Sequence, residues 1–120
     1  RFQWVSPAEL GSSDCIMDFS VVDDMVRFVG SAFNVPYTGI LHSSNFLPAS
    51  YVSANGSTTG FDPGDLTTGD IRFIIEPSGS IGFLHFDPDG SGTAASSQVT
   101  DVGFSTGDPY SFDFNDIDIV

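Results

Sequence analysis

The chain has 120 residues and a formal charge of −13, with 16 acidic side chains against three arginines. Three arginines and no lysine cannot build the basic patch that phosphate recognition needs, which excludes nucleic acid and acidic membrane surfaces as partners unless a cation intervenes. Fourteen of the acids are Asp, and Ser, Gly and Thr abound; this discourages helices, while 12 Phe with many Val and Ile supply β-favouring apolar content and argue against disorder.

Phe2 and Trp4 predict a short strand, with turn signals at Ser6-Pro7 and Gly11-Ser12-Ser13 before a second strand whose buried pair is Ile16 and Phe19. Met25-Val26-Arg27-Phe28-Val29 reads as a third. From 30 to 47, isolated apolar residues (Phe33, Val35, Tyr37, Ile40, Leu41, Phe46) stand among Gly, Pro, Ser and Asn, which suits one-turn helices and irregular loops. Residues 48 to 70, with Asn55-Gly56 and Asp62-Pro63-Gly64, read as a surface excursion rather than a second domain.

The clearest local signal is a β-hairpin: Ile71 to Glu76, a Pro77-Ser78-Gly79-Ser80 turn, then Ile81 to Phe86. Both strands are apolar on more than one face, as in a sandwich or roll whose faces are each partly covered. A strand from about Gln98 to Phe104 follows. At the end of the sequence, apolar residues 112 and 114 keep a period of two, as do 117 and 119, with a slip between the pairs that a bulge or turn would cause. The fold class expected is mainly β: a small β-sandwich or β-roll cap with short one-turn helices, in a single domain over 1–120. Its core is feasible but thin, burying roughly 60–70 % of the surface of the unfolded chain.

A single Cys15 excludes an internal disulfide, and no apolar run approaches the roughly 18 residues of a membrane-spanning helix. No charged-then-apolar leader precedes the first strand pattern, and the chain is expected to be a fragment of a longer secreted protein.

Calcium takes six to eight hard oxygens, and a short Asp-x-Asp-x-Ser-Gly segment can gather several while glycine permits the sharp turn. Asp87, Asp89 and Ser91 stand at positions one, three and five of such a loop, with Gly92 at six. Gln98 occupies the place of the bidentate Glu and the flanks read as strands, which disfavours an EF-hand and leaves open a β-type calcium loop or an ordinary Asx-rich turn. Asp14 and Asp18 bracket Ile16, so on a regular strand all three share one face, where calcium or exposure to solvent would relieve the repulsion. Asp23-Asp24 reads as a turn.

His42 and His85 have no Cys or His at zinc spacing and read as structural. Gly-x-Ser-x-Gly, His-Glu-x-x-His, Asp-Thr-Gly and Lys-bearing phosphate loops are all absent, and the adjacent acids Asp87 and Asp89 lack the opposed placement of a glycosidase pair. No catalytic activity is expected from these residues.

Three separated stretches then match one pattern. Asp14-Cys15-Ile16-Met17-Asp18-Phe19 with Asp24-Met25-Val26-Arg27-Phe28 resembles the D-x-I-x-D-F and D-x-I-x-[LF] segment that follows the glycine-rich nonapeptides of RTX (repeats-in-toxin) proteins. The run from Arg72 to Gln98-Val99, with its Asp-x-Asp-Gly-Ser-Gly loop and Ala94-Ala95, is similar to the hairpin and following strand of the same C-terminal flank. Asp116-Ile117-Asp118-Ile119-Val120 is similar to the extreme C-terminus of substrates of type I secretion systems.

The resemblance implies a cap on a calcium-loaded parallel β-roll. Residues 1–29 would form the end of the roll, 30–70 an irregular part, and 71–120 the hairpin and terminal strands. It also implies calcium at Asp14, Asp18, Asp87, Asp89 and Ser91, and an export signal at 116–120 read by an ABC transporter of the type I apparatus. The chain would then be extracellular or held at the cell surface of a bacterium, with upstream β-roll repeats as its partner and no membrane insertion. The nonapeptides themselves are absent from these residues, which places the principal calcium sites upstream. The alternatives are a surface-adhesin module or a carbohydrate-binding β-sandwich with Trp4, Tyr51 or Tyr110 on a binding face.

Overall fold

A computed structural model of the protein describes residues 2–4, 15–55, 70–90 and 97–120. These residues are mainly β and form nine strands in two mixed sheets: β1 (Phe2–Trp4), β2 (Cys15–Phe19), β3 (Val26–Phe28), β4 (Gly39–Ile40), β5 (Phe46–Leu47), β6 (Phe73–Ser78), β7 (Ile81–Phe86), β8 (Ser97–Phe104) and β9 (Ile117–Ile119). The first sheet runs β1-β3-β9-β4 and the second β2-β8-β7-β6-β5. One short helix, α1 (Ala49–Asn55), and 3-10 turns at Gly30–Ala32, Ser43–Asn45, Pro109–Ser111 and Phe114–Asp116 complete the described elements. Asp14, Ser91, the turns expected near 6–13 and 56–64, and Ala94-Ala95 lie outside the described residues.

The two sheets face each other across an aromatic core, the use to which the chain puts its phenylalanines. Phe28 of the first sheet meets Phe73 of the second at a ring-centroid distance of 4.3 Å, and Phe33 packs at 4.9 Å from both Phe28 and Phe86. Phe112 lies 5.5 Å from Phe19 and 6.1 Å from Phe104, binding the last segment of the chain into the same core. Leu47, Val52, Ile71 and Ile74 form a second cluster, so the excursion expected from residue 48 opens instead with a helix packed against the second sheet.

The hairpin forms as expected but with a tighter connection. Ser78 pairs with Ile81, leaving Gly79 and Ser80 as the whole loop, with Gly79 at φ +62. Pro77 is therefore inside β6 opposite Gly82, beyond the reach of β5, which pairs only with Phe73 and Ile74. A missing N–H is tolerated at such a local edge.

Strands β1, β2 and β3 alternate between the sheets. β1 pairs in parallel with β3, and β2 pairs in parallel with β8. Residues 20–25 link β2 to β3 and 41–45 link β4 to β5, each passing from one sheet to the other. Among the described residues β1 and β2 each stand at an edge of their sheet.

Candidate functional site

Asp87 follows β7 directly, and its N–H donates to Arg72 O at 2.8 Å, extending the hairpin by one rung. The side chain is buried, with the residue 1 % exposed. Its Oδ1 accepts from Asp89 N at 3.2 Å and from Gly90 N at 3.0 Å, an Asx turn in which Gly90 takes φ +70. Asp89 Oδ1 is also shielded from solvent. Asn34, in the left-handed region at φ 58, donates from Nδ2 to Pro88 O at 2.9 Å. Arg72 directs its guanidinium to the carbonyls of Ile71 (3.1 Å) and Asn34 (3.4 Å), and both Asn34 and Arg72 line a shallow cavity of about 410 Å³ beside the turn.

This donor set suits a hard cation. Asp87 and Asp89 are anionic oxygen donors on one turn, and Asp87 folds that turn through a single oxygen. Among the described residues, no three His, Cys, Asp or Glu side chains come together, so any further ligand would be a backbone carbonyl, water or a side chain elsewhere.

The first acidic strand differs from its expected geometry. Ile16 and Phe19 are buried as read, but Met17 and Asp18 together oppose the single Gly103 of β8, a bulge, with Asp18 at φ 57. The extra residue breaks the alternation, so Asp18 is exposed and does not share the face of Ile16. Asp23-Asp24 does form a turn: both N–H groups donate to Ser20 O, and Asp24 Oδ2 accepts from Ser20 N.

At the other candidate segment, Asp116 closes the Phe114–Asp116 turn and β9 begins at the next residue. Asp113 Oδ1 accepts from Asn115 N while Asp116 Oδ2 accepts from Asp113 N at 2.9 Å, a capping box. Burial pushes the Asp116 carboxyl up to about 6, against the lowering effect of the Asp113 N–H, with the Asp113 charge adding to the rise. Ile117 and Ile119 are buried in the core, and Asp118 on the outer face meets Arg27 Nε at 2.9 Å. Val120 continues the ladder, donating to Phe28 O and accepting from Gly30 N. All five residues therefore anchor the fold.

His85 is buried against Glu76, Nε2 to Oε1 3.0 Å, and His42 stacks on Tyr37 with centroids 3.8 Å apart. Tyr37 Oη donates to Asn45 Oδ1 and accepts from His42 N, and its burial raises the phenol above its ordinary value. Tyr51 and Tyr110 are both exposed; the side chain of Trp4 lies outside those described. No helix among the described residues is long and apolar enough to cross a membrane.

Asn34 and Arg72 were not predicted at the acidic turn. Asn34 is 54 residues from Pro88, and no local pattern announces that contact. The Asp113–Asp116 cap, by contrast, is written in the sequence as two acids three apart before an apolar pair. Comparison with protein-family models, curated proteins and solved structures gives no match.

Proposed function

We propose that this chain is the non-catalytic C-terminal cap of a calcium-dependent parallel β-roll, exported from a bacterium by a type I apparatus that reads residues 116–120. The observation that carries the reading is the alternation of β1, β2 and β3 between the two sheets, each joined to its sheet by parallel pairing, with β1 and β2 at sheet edges among the described residues. An upstream coil of the same chain, running in the same direction, would satisfy both edges at once, and covering them would also remove exposed edges of the kind that promote aggregation. At the other edge of each sheet stand β4 and β5, two-residue strands that offer little to further pairing. The buried Asp87 turn supplies the calcium-responsive part of the fold.

Two experiments test this reading. Joined behind synthetic glycine- and aspartate-rich nonapeptides, the chain is expected to lower the calcium concentration at which circular dichroism reports folding; an unchanged concentration overturns the capping role. Fused behind a reporter in a strain with a type I apparatus, it is expected to direct export that deletion of Ile117 to Val120 abolishes; export that survives the deletion overturns the signal.

A carbohydrate-binding module is the second reading. It is favoured by the exposure of Tyr51 on α1 and Tyr110 on the neighbouring 3-10 turn, since tyrosine rings on one surface can stack on sugars. Glycan binding by the intact chain that Tyr51→Ala or Tyr110→Ala abolishes would support it.

A further inference from the structure

The second sheet packs one face on the phenylalanine core and turns the other outward. Register sets three side chains in one row across that outer face: Asp101 of β8 is opposite Phe83 of β7, and Phe83 is opposite Glu76 of β6. The residues that alternate with them, Val102, Leu84 and Ile75, are buried in the core, which fixes the row on the other side. Phe83, Glu76 and Asp101 are each partly exposed. Strand spacing puts the two acids about 10 Å apart at Cα, with the ring between them. One neighbour steadies each carboxylate: Glu76 Oε1 meets His85 Nε2 at 3.0 Å, and Asp101 Oδ1 accepts from Gln98 Nε2. Toward β5 the same face is closed by α1, whose Val52 packs with Leu47 and Ile74. The described arginines are engaged elsewhere, Arg27 with Asp118 and Arg72 with the carbonyls of Ile71 and Asn34.

We propose that this row docks an arginine side chain of a basic peptide, its guanidinium lying on the Phe83 ring and donating edgewise to Glu76 on one side and Asp101 on the other. This goes beyond the capping and export reading and requires neither. The face of an aromatic ring carries the negative part of its quadrupole, so a ring between two carboxylates attracts a cation from three directions. A guanidinium suits the row better than an ammonium, because it is planar, weakly hydrated and donates from more than one edge, whereas lysine brings a compact charge that keeps its water. The formal charge of −13 points to the same occupant: it draws a basic segment toward the sheet and repels an acidic or phosphorylated one. His85 and Gln98 hold the two acids before the ligand arrives, which lowers the cost of ordering them on binding.

The test titrates the intact, isotope-labelled chain with a blocked tripeptide, glycine-arginine-glycine, followed by NMR at low salt, where exposed charges are least screened. Shifts are expected at the Phe83 ring and at the amides of Glu76, Phe83 and Asp101. The same peptide with citrulline, the neutral counterpart of arginine, is expected to bind about tenfold more weakly, and the lysine peptide several-fold more weakly. Asp101→Asn and Phe83→Leu, which keep side-chain size and apolar bulk respectively, are each expected to weaken the arginine peptide about tenfold with the fold retained by circular dichroism. Asp70→Asn removes the same charge from an exposed residue outside the row and is expected to leave affinity unchanged. Should Asp101→Asn unfold the chain, Glu76→Gln tests the opposite side of the ring. Shifts spread evenly over the acidic surface overturn the inference, as does equal weakening by Asp70→Asn and Asp101→Asn, since either result marks unspecific attraction. Equal binding of the citrulline peptide, or no shift with the arginine peptide, overturns it as well.

Discussion

Asp116 must be both a cap and a core residue. It is 5 % exposed, its Oδ2 accepts from Asp113 N, and the next residue enters the first sheet. With its carboxyl pushed from 3.8 to about 6, the folded state holds this proton more tightly than the unfolded chain. The contribution is therefore most favourable below the unfolded value and is lost as pH rises through the folded one, a change on the order of 3 kcal/mol between about pH 4 and 6. Asp116→Asn keeps an acceptor for Asp113 N and removes the buried charge. It is expected to raise stability at pH 7 by about 1–3 kcal/mol and to flatten urea-measured stability across that window. Equal loss of stability at all pH values would contradict the raised carboxyl, since below the folded value there is no charge for the substitution to remove.

Gly30 is the second decisive single position. An added Cβ would meet Val35 O at 2.5 Å and Ile119 Cγ2 at 2.6 Å, so Gly30→Ala is expected to cost about 1–3 kcal/mol in denaturant unfolding and to loosen β9 first. The sequence does not mark this glycine, because the atoms it accommodates include one 89 positions along the chain. The Asp23-Asp24 turn was legible because its partner Ser20 lies within four residues, whereas the equally local Asp113–Asp116 cap was read only as a bulge or turn.

Elements were legible where pairing is local. The β6–β7 hairpin follows from two apolar runs around Ser78-Gly79-Ser80; its first strand begins at Phe73 instead of Ile71, and its loop is shorter because Pro77, counted as a turn residue, fits β6 where β5 has ended. The slip in apolar period between 112–114 and 117–119 correctly announced a break, which is the 3-10 turn Phe114–Asp116. Parallel pairings are another matter. β2 finds β8, and β3 finds β9, across some 85 to 90 residues, and nothing local encodes either register. The bulge at Met17 and Asp18 was likewise hidden, because the alternation of Asp14, Ile16 and Asp18 is that of a regular strand. Outward-facing amides on the open edges of β1 and β2 are expected to exchange with solvent much faster than those of β8, and to gain protection when β-roll repeats are joined upstream. Hydrogen exchange read by NMR checks this; edges that remain fast in the longer protein would contradict the cap.

For the whole molecule, the charge of −13 is the fact the fold must accommodate. Among the described residues most carboxylates keep some contact with solvent, but Asp87 lies 1 % exposed on a turn whose other acid, Asp89, is also partly withdrawn from water. On the reading proposed above, low calcium would leave the acids to repel one another and keep the chain extended and export-competent. Outside the cell, calcium would neutralise the turn and favour collapse around the phenylalanine core. A site held at one hundred times its Kd adds roughly 2.7 kcal/mol, a large part of the roughly 5–15 kcal/mol of a typical domain. Asp87→Asn retains an acceptor for the N–H groups of Asp89 and Gly90 while removing the charge, so it is expected to abolish the calcium response without unfolding the turn. The most direct measurement is thermal unfolding by circular dichroism in millimolar calcium and then in chelator. Calcium dependence predicts a melting temperature about 10 °C higher with calcium for a chain of this size; identical melting temperatures in the two conditions would contradict it.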